Sequence, residues 1–291
     1  MQKTSAYQSL VKTFQRLSRF SHLTSIASWD MFTMMPPGGS AARGEALAEM
    51  SVLQHQILTD KKVGDLLVAA AGEDLNDVEQ ANLREMTRHY QQATLLPESL
   101  VEAKSLAGSR CEHAWRTQRP ANDWQGFSAN LKEVVKLSRE EARLRAEAKG
   151  CTPYDALLDI FEPDMTSARL DVLFGDMKSW LPDLLANVVE KQAQRSFVPP
   201  QGPFPTATQR ELGLEAMKML GFDFNGGRLD VSAHPFCGGV PEDVRITTRY
   251  DEDELLSALF GVIHETGHAR YEQNLPRAWA GQPIALARST A

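Results

Sequence analysis

Between residues 251 and 274 the chain carries His264-Glu265-Thr266-Gly267-His268 inside a segment that reads as one helix. Asp251 and Glu254 stand in capping-box spacing, and the acidic run around them sits where a helix dipole favours negative charge. Leu256, Leu259, Phe260, Ile263 and Gly267 recur at helical intervals as an apolar stripe, and Asn274 with Pro276 supplies the stop. In such a helix His264 and His268 stand one above the other on a single face. Two imidazoles so placed share one Zn2+ at about 2.0–2.1 Å each. Glu265, one position round, is set to take a proton from a metal-bound water. The histidines border the apolar stripe, so the pattern predicts that they face the protein. The helix is that of a zinc hydrolase, and the rest of the chain has to hold it with both imidazoles reachable.

Composition narrows the alternatives. A chain of 291 residues, 42% hydrophobic and 24% charged, is ordinary for a globular protein able to bury a large core. A formal charge of −7 with a pI near 5.6 argues against a nucleic-acid partner and shows no basic membrane patch. No apolar run approaches the roughly 20 residues of a membrane span, and the first ten residues lack a signal-peptide core. Cys111, Cys151 and Cys237 are odd in number and in no CxxC pair, which predicts reduced, packed thiols in a cytoplasmic protein.

Most of the chain before residue 196 reads as a helical scaffold. Tyr7, Leu10, Val11, Phe14, Leu17, Phe20 and Leu23 predict a helix over residues 5–29, stopped by two prolines and two glycines at 36–39. Ser40 is the expected N-cap of the next helix, over 41–58. Further helices are expected over 76–90, where Asn76 and Glu79 resemble a capping box, over 97–117 and over 123–148. The charge run at 139–149 reads as a solvated face with i,i+4 pairs. A short helix near Tyr154, a long one over 167–194 capped by Thr166, and another over 208–220 complete the set. Residues 228–232 and 243–248 alternate polar and apolar groups, which predicts a small antiparallel β-hairpin just before the zinc helix. An edge strand beside a metal is suited to hold an extended peptide by main-chain hydrogen bonds.

Three motifs now stand close together in order: His234-Pro235-Phe236, Asp243-Val244-Arg245-Ile246-Thr247, and the HExxH helix. They resemble the HPF, DxRxT and HExxH signatures of the carboxypeptidase Taq family of metallocarboxypeptidases. Trp29-Asp30, the Met35-Pro36-Pro37-Gly38-Gly39 stretch with Arg43, and the segments at 154–159 and 162–166 resemble that family too. The resemblance implies a mainly α, zincin-like fold and a cytoplasmic, often dimeric enzyme with a long groove. It implies removal of single residues from peptide C-termini with one divalent metal, normally zinc. His264 and His268 are then metal ligands and Glu265 the general base, while His234, Asp243, Arg245, Thr247 and Arg249 line the substrate cleft. An arginine there, Arg245 or Arg249, is suited to pair with a terminal carboxylate. An ion pair with Asp243, Asp251 or Asp253 is the alternative.

A catalytic zinc needs three protein ligands and a water. In the family the third resembles a glutamate of a His-Glu-Ser segment some way after a Gly-Gln-Pro stretch. Gly281-Gln282-Pro283 is present, but the sequence reaches Ala291 without the His-Glu-Ser segment. Glu272 lies eight residues beyond His264, about 12 Å along the helix axis, too far to share one ion. The expectation is therefore a single, mostly helical domain over 1–291 that stops short of the family's C-terminal helices, with a scaffold over 1–195 and the hairpin and zinc helix over 196–291. Two competing readings stand beside it: a non-catalytic helical fragment with a peptide-binding or dimerisation role, and an endopeptidase using the same helix.

Overall fold

A computed structural model describes residues 4–286 of the chain. The expected continuation toward a third ligand after Leu286, and the first three residues, lie outside the described residues. The scaffold runs α1 (Ala6–Thr33), α2 (Ser40–Thr59), α3 (Lys61–Ala70), α4 (Asp77–Thr94), α5 (Glu98–Gln118), α6 (Trp124–Lys149), α7 (Pro153–Phe161) and α8 (Ser167–Ala193). Its ends follow local chemistry. Ser5 caps α1 by accepting from the Gln8 N–H at 3.1 Å. Asn76 and Glu79 form a full capping box, each side chain accepting from the other residue's backbone N–H. Thr166 caps α8 through Arg169. Ser40 differs from expectation: it is the first helical residue of α2, behind Gly39, and its hydroxyl is bonded to His113 Nδ1. The ten-residue α3, capped by Asp60, has no sequence signal of its own because it follows α2 after one residue without a Gly or Pro break.

One core joins Tyr7, Leu10, Phe14 and Leu17 of α1 to Val63 and Leu67 of α3 and to Leu83 and Met86 of α4. Each such side chain contributes roughly 1.5–3 kcal/mol on burial. A second joins α9 (Thr206–Met219), the sheet and α10 (Leu255–Gln273) through Met217, Leu229, Val244, Ile246, Val262 and Ala269. Most of the 139–149 charge run is a solvated face, with Arg139, Glu140, Arg143, Glu147 and Lys149 exposed. Glu141 and Arg145 pair at i,i+4 as expected, but both are buried, and Lys104 of α5 joins Glu141 from across the helix interface.

The sheet departs from the expected hairpin. Strands β1 (Gly227–Val231), β2 (Cys237–Val240) and β3 (Asp243–Thr248) lie in the order β1-β3-β2. β1 and β3 are parallel, with Arg228 opposite Arg245 and Leu229 opposite Ile246. The antiparallel partner of β3 is β2, so the sheet is mixed. The Cys-Gly-Gly-Val segment of β2 has too little alternation to show as a strand, and it resembles the turn of a hairpin. Gly239 is needed there: at φ 91° a Cβ would meet the Asp243 carbonyl oxygen at 2.1 Å.

α8 stands apart from the rest. None of its residues is buried, and Val172, Leu173, Phe174, Met177, Trp180, Leu181, Leu184, Leu185, Val188 and Val189 are all exposed. Pro182 lies within it without ending it.

Candidate metal centre

α10 starts later than its acidic run suggests. Glu254, not Asp251, is the N-cap, its carboxylate accepting from Leu256 N–H at 3.1 Å and Ser257 N–H at 2.7 Å. Asp251 instead bridges to Glu254 in the loop before the helix. The face of α10 turned to the core is also not the predicted one. Ala258, Val262, Glu265, Thr266 and Ala269 are buried, while Leu256, Phe260 and Ile263 are exposed. Small and β-branched residues meet the sheet, where the backbone comes close: Thr248 Oγ1 reaches the Ala258 carbonyl at 3.4 Å. The large apolar groups therefore point outward, and His264, between the two faces, is exposed with His268 half-buried.

The two imidazoles converge. His264 Nε2 and His268 Nε2 are 3.2 Å apart, with ring centroids at 4.8 Å. Two nitrogens bound to one tetrahedral zinc at about 2.0–2.1 Å stand about 3.3 Å apart, so this pair has the bite of a single ion. Glu265, 8% exposed, makes no ion pair among the described residues. Among the described residues no group of three or more His, Cys, Asp or Glu side chains converges as a metal site. Glu272, one turn beyond His268, has its carboxyl raised by burial, with the nearby imidazole acting the other way. Cys237 borders the same region. Burial, with the negative charges of Glu265 and Glu272, pushes its thiol up to about 12, which keeps it protonated at neutral pH. All three cysteines are free, and only Cys111 is fully buried; Cys151 is exposed, against the expectation of a packed thiol.

The HPF connector is fastened to β3 through Thr247. That side chain is fully buried; its oxygen accepts from Phe236 N–H at 3.0 Å and bonds Ser232 Oγ at 2.7 Å. Ser232 Oγ in turn donates to the His234 carbonyl at 2.5 Å. His234 itself is exposed. Thr247 thus sets the course of the loop that passes over α10, where Pro235 packs 3.6 Å from the Cβ position of Gly261.

Asp243 and Arg245 form a two-point ion pair at 2.7 and 3.0 Å. This hydrogen-bonded guanidinium holds the Asp243 carboxyl below its ordinary range. Arg245 lies 4.4 Å from the ring centroid of Trp29, and Arg228, paired with Asp230 at 2.7 Å, lies 5.5 Å from the same ring. Of the two ways open to Arg245, the ion pair with Asp243 is the one formed. Arg249 is exposed and in no ion pair among the described residues. Arg228 belongs to no motif in the sequence, and Trp29 shows there only as part of a family-like stretch with no role attached. The parallel register that sets Arg228 beside Arg245 is what brings both onto the indole, and no local signal reports it.

Paired imidazoles and an adjacent carboxylate thus stand together on one helix, with a small mixed sheet laid against it. A sequence profile described as carboxypeptidase Taq (M32) metallopeptidase matches residues 9–291, and the chain belongs to that family. It is 37% identical to thermostable carboxypeptidase 1 of Thermus thermophilus, covering 97% of this chain and 58% of the relative. It is 33% identical to carboxypeptidase 1 of Bacillus subtilis over 92% of this chain and 54% of that one. Among solved structures, Trypanosoma cruzi metallocarboxypeptidase 1 superposes with a TM-score of 0.86 at 48% identity, covering 98% of this chain and 58% of that chain. The chain thus spans a little over half the length of these relatives.

Proposed function

We propose that the chain is the metal-binding part of a zinc metallocarboxypeptidase that releases C-terminal residues from peptides. The observation that carries the reading is the 3.2 Å approach of His264 Nε2 to His268 Nε2 beside an unpaired carboxylate on the next residue. His264 and His268 would hold the ion, zinc or another divalent metal. When bound, it supplies Lewis-acid polarisation of a carbonyl and makes water acidic near neutral pH. Glu265, with no cation to hold its charge, takes the proton from water and returns it to the leaving amine. Arg249, a cation without a partner on the loop that follows β3, is the better of the two candidates for a terminal carboxylate, since Arg245 is already neutralised by Asp243. In this reading Asp243, Thr247 and His234 shape the cleft by position. Thr247 fixes the HPF loop, and Asp243 fixes Arg245 on Trp29.

The reading has the protein working in the cytoplasm, supported by three free cysteines and the acidic pI, and self-associating, supported by the apolar face of α8. No helix among the described residues is long and apolar enough to cross a membrane.

Zinc titration calorimetry tests the centre. The chain is expected to bind about one ion weakly, His264→Ala or His268→Ala to weaken binding at least about tenfold, and Glu265→Gln to leave it nearly unchanged. Abolition of zinc binding in Glu265→Gln would remove it from the role of base. Hydrolysis assays on peptides with free and amidated carboxyl ends separate the activities. Equal cleavage of both by a form of the enzyme carrying the whole centre would overturn the carboxypeptidase reading in favour of an endopeptidase.

A further inference from the structure

A cavity of about 630 Å3, within the range of small-ligand sites, opens among α1, α2, α4, the β2–β3 turn and the segment after α10. Its floor is apolar, formed by Phe14, Leu17 and Leu58. Its rim carries Arg19, His22 and His55, whose side chains form no hydrogen bond or ion pair among the described residues. The acids around it are placed otherwise. Glu242 is tied to Arg277, and Glu272 lies at the end nearest His268. Asp243 acts on His22 from outside the cavity and is itself held by Arg245. Glu272 has no ion pair among the described residues; away from it, the unpaired groups on the rim are the Arg19 guanidinium and the His22 and His55 imidazoles, above a floor suited to an aliphatic or aromatic side chain.

Position relates this cavity to the metal helix. Glu272 is one turn past His268, about 6 Å along the axis, which an extended peptide covers in about two residues. An enzyme that removes a terminal residue has no chain that far out on the carboxyl side of the bond. Only the upstream part of the substrate reaches the cavity.

We propose that this cavity receives the peptide segment upstream of the bond to be cut, an apolar side chain entering the floor and a neighbouring acidic one meeting Arg19 and His55. The proposal rests on the carboxypeptidase reading for its polarity, but its binding chemistry does not require the metal. Fluorescence anisotropy in the presence of chelator, with labelled Ala-Leu-Glu-Ala-Ala and Ala-Leu-Lys-Ala-Ala, tests it on the chain as it is. The glutamate peptide is expected to bind at least about fivefold more tightly, a preference that salt weakens. The double substitution Arg19→Glu with His55→Glu is expected to reverse the order. Leu58→Trp, which fills the floor, is expected to weaken both peptides by a similar factor, with circular dichroism confirming that each variant folds. Equal binding of the two peptides, or a preference that survives the charge reversal, would overturn the proposal. Zinc titration of the same proteins after the chelator is removed reads the metal centre separately, so failure of either idea is visible without the other.

Discussion

The guanidinium carbon of Arg245 sits 4.4 Å from the centroid of the Trp29 ring. Trp29 belongs to α1 and Arg245 to β3, so the stack joins the helical scaffold to the sheet that carries the HPF connector. Asp243 grips the same guanidinium from the side, leaving it 17% exposed. Arg228 approaches the same indole from the neighbouring strand.

Arg245→Ala is therefore expected to act first on stability. It removes a cation–π interaction and leaves the Asp243 carboxylate without its partner, a destabilisation of about 2 kcal/mol. Urea unfolding measures it. Arg245→Lys is expected to recover less than half, since an ammonium matches neither the two-point pair nor the stack. A lysine variant as stable as wild type would show that the planar geometry contributes little.

The buried charges between α5 and α6 give a larger effect. Glu141 meets both Arg145, at 2.7 Å, and Lys104, and burial lowers the pKa of each cation. Glu141→Ala strands two charges in a poorly solvated place, at a cost of about 3–5 kcal/mol. The apolar pair Glu141→Leu with Arg145→Met is expected to be closer to wild type than Glu141→Ala alone. Chemical denaturation of the variants decides the order, and equal destabilisation would mean that packing volume, not charge, controls the interface.

Asp159 provides the pH dependence. Burial alone raises its carboxyl, but Lys149, the Asp164 N–H at 3.0 Å and Arg88 outweigh that and hold it below the ordinary value. A group depressed in the folded state contributes stability above its unfolded pKa of about 3.9, and loses it as pH falls through the lower folded value. The stability difference between wild type and Asp159→Asn is thus expected to be full at pH 7 and to shrink below about pH 4. A difference that stays constant down to pH 2.5 would assign the effect to shape alone.

Features written in local chemistry are legible in the sequence. The Asn76–Glu79 box, the Thr166 cap and the i,i+4 histidines are each set by residues within one turn. What the sequence conceals depends on partners far along the chain. The acidic run at 251–254 offers two caps, and the backbone bridge between Asp251 and Glu254 selects the later one. On α10 the large apolar residues have the spacing of a core face. A sheet packed closely against the helix admits Ala258, Val262, Thr266 and Ala269 instead, which puts Leu256, Phe260 and Ile263 outside. β2 is hidden because two glycines carry no alternation, and its presence turns a supposed hairpin into a mixed sheet. The Arg228–Trp29–Arg245 stack follows from that topology and has no sequence signature of its own.

The face of α8 leads to the last prediction. Leu170, Phe174, Met177, Leu181, Leu184 and Val188 follow a four-three spacing over most of the helix, with Leu173, Trp180 and Leu185 widening the stripe. A strip that broad is wider than a two-helix seam and matches a helix that packs into a groove. Ten large hydrophobic side chains exposed along one 27-residue helix exceed what a monomer normally leaves in water. The chain is expected to associate at micromolar concentration, as sedimentation velocity would show. Phe174→Glu with Leu181→Glu should shift it toward monomer, since each substitution puts a charge that resists burial where an apolar group would be covered. Both sites lie outside the two main cores, so the variant's unfolding free energy should stay within about 1 kcal/mol of wild type. Substitution of exposed Val68 on α3 by Glu serves as the comparison, because it removes surface hydrophobicity away from the stripe. If that change dissociates the chain as well as the α8 pair does, the association is not carried by α8.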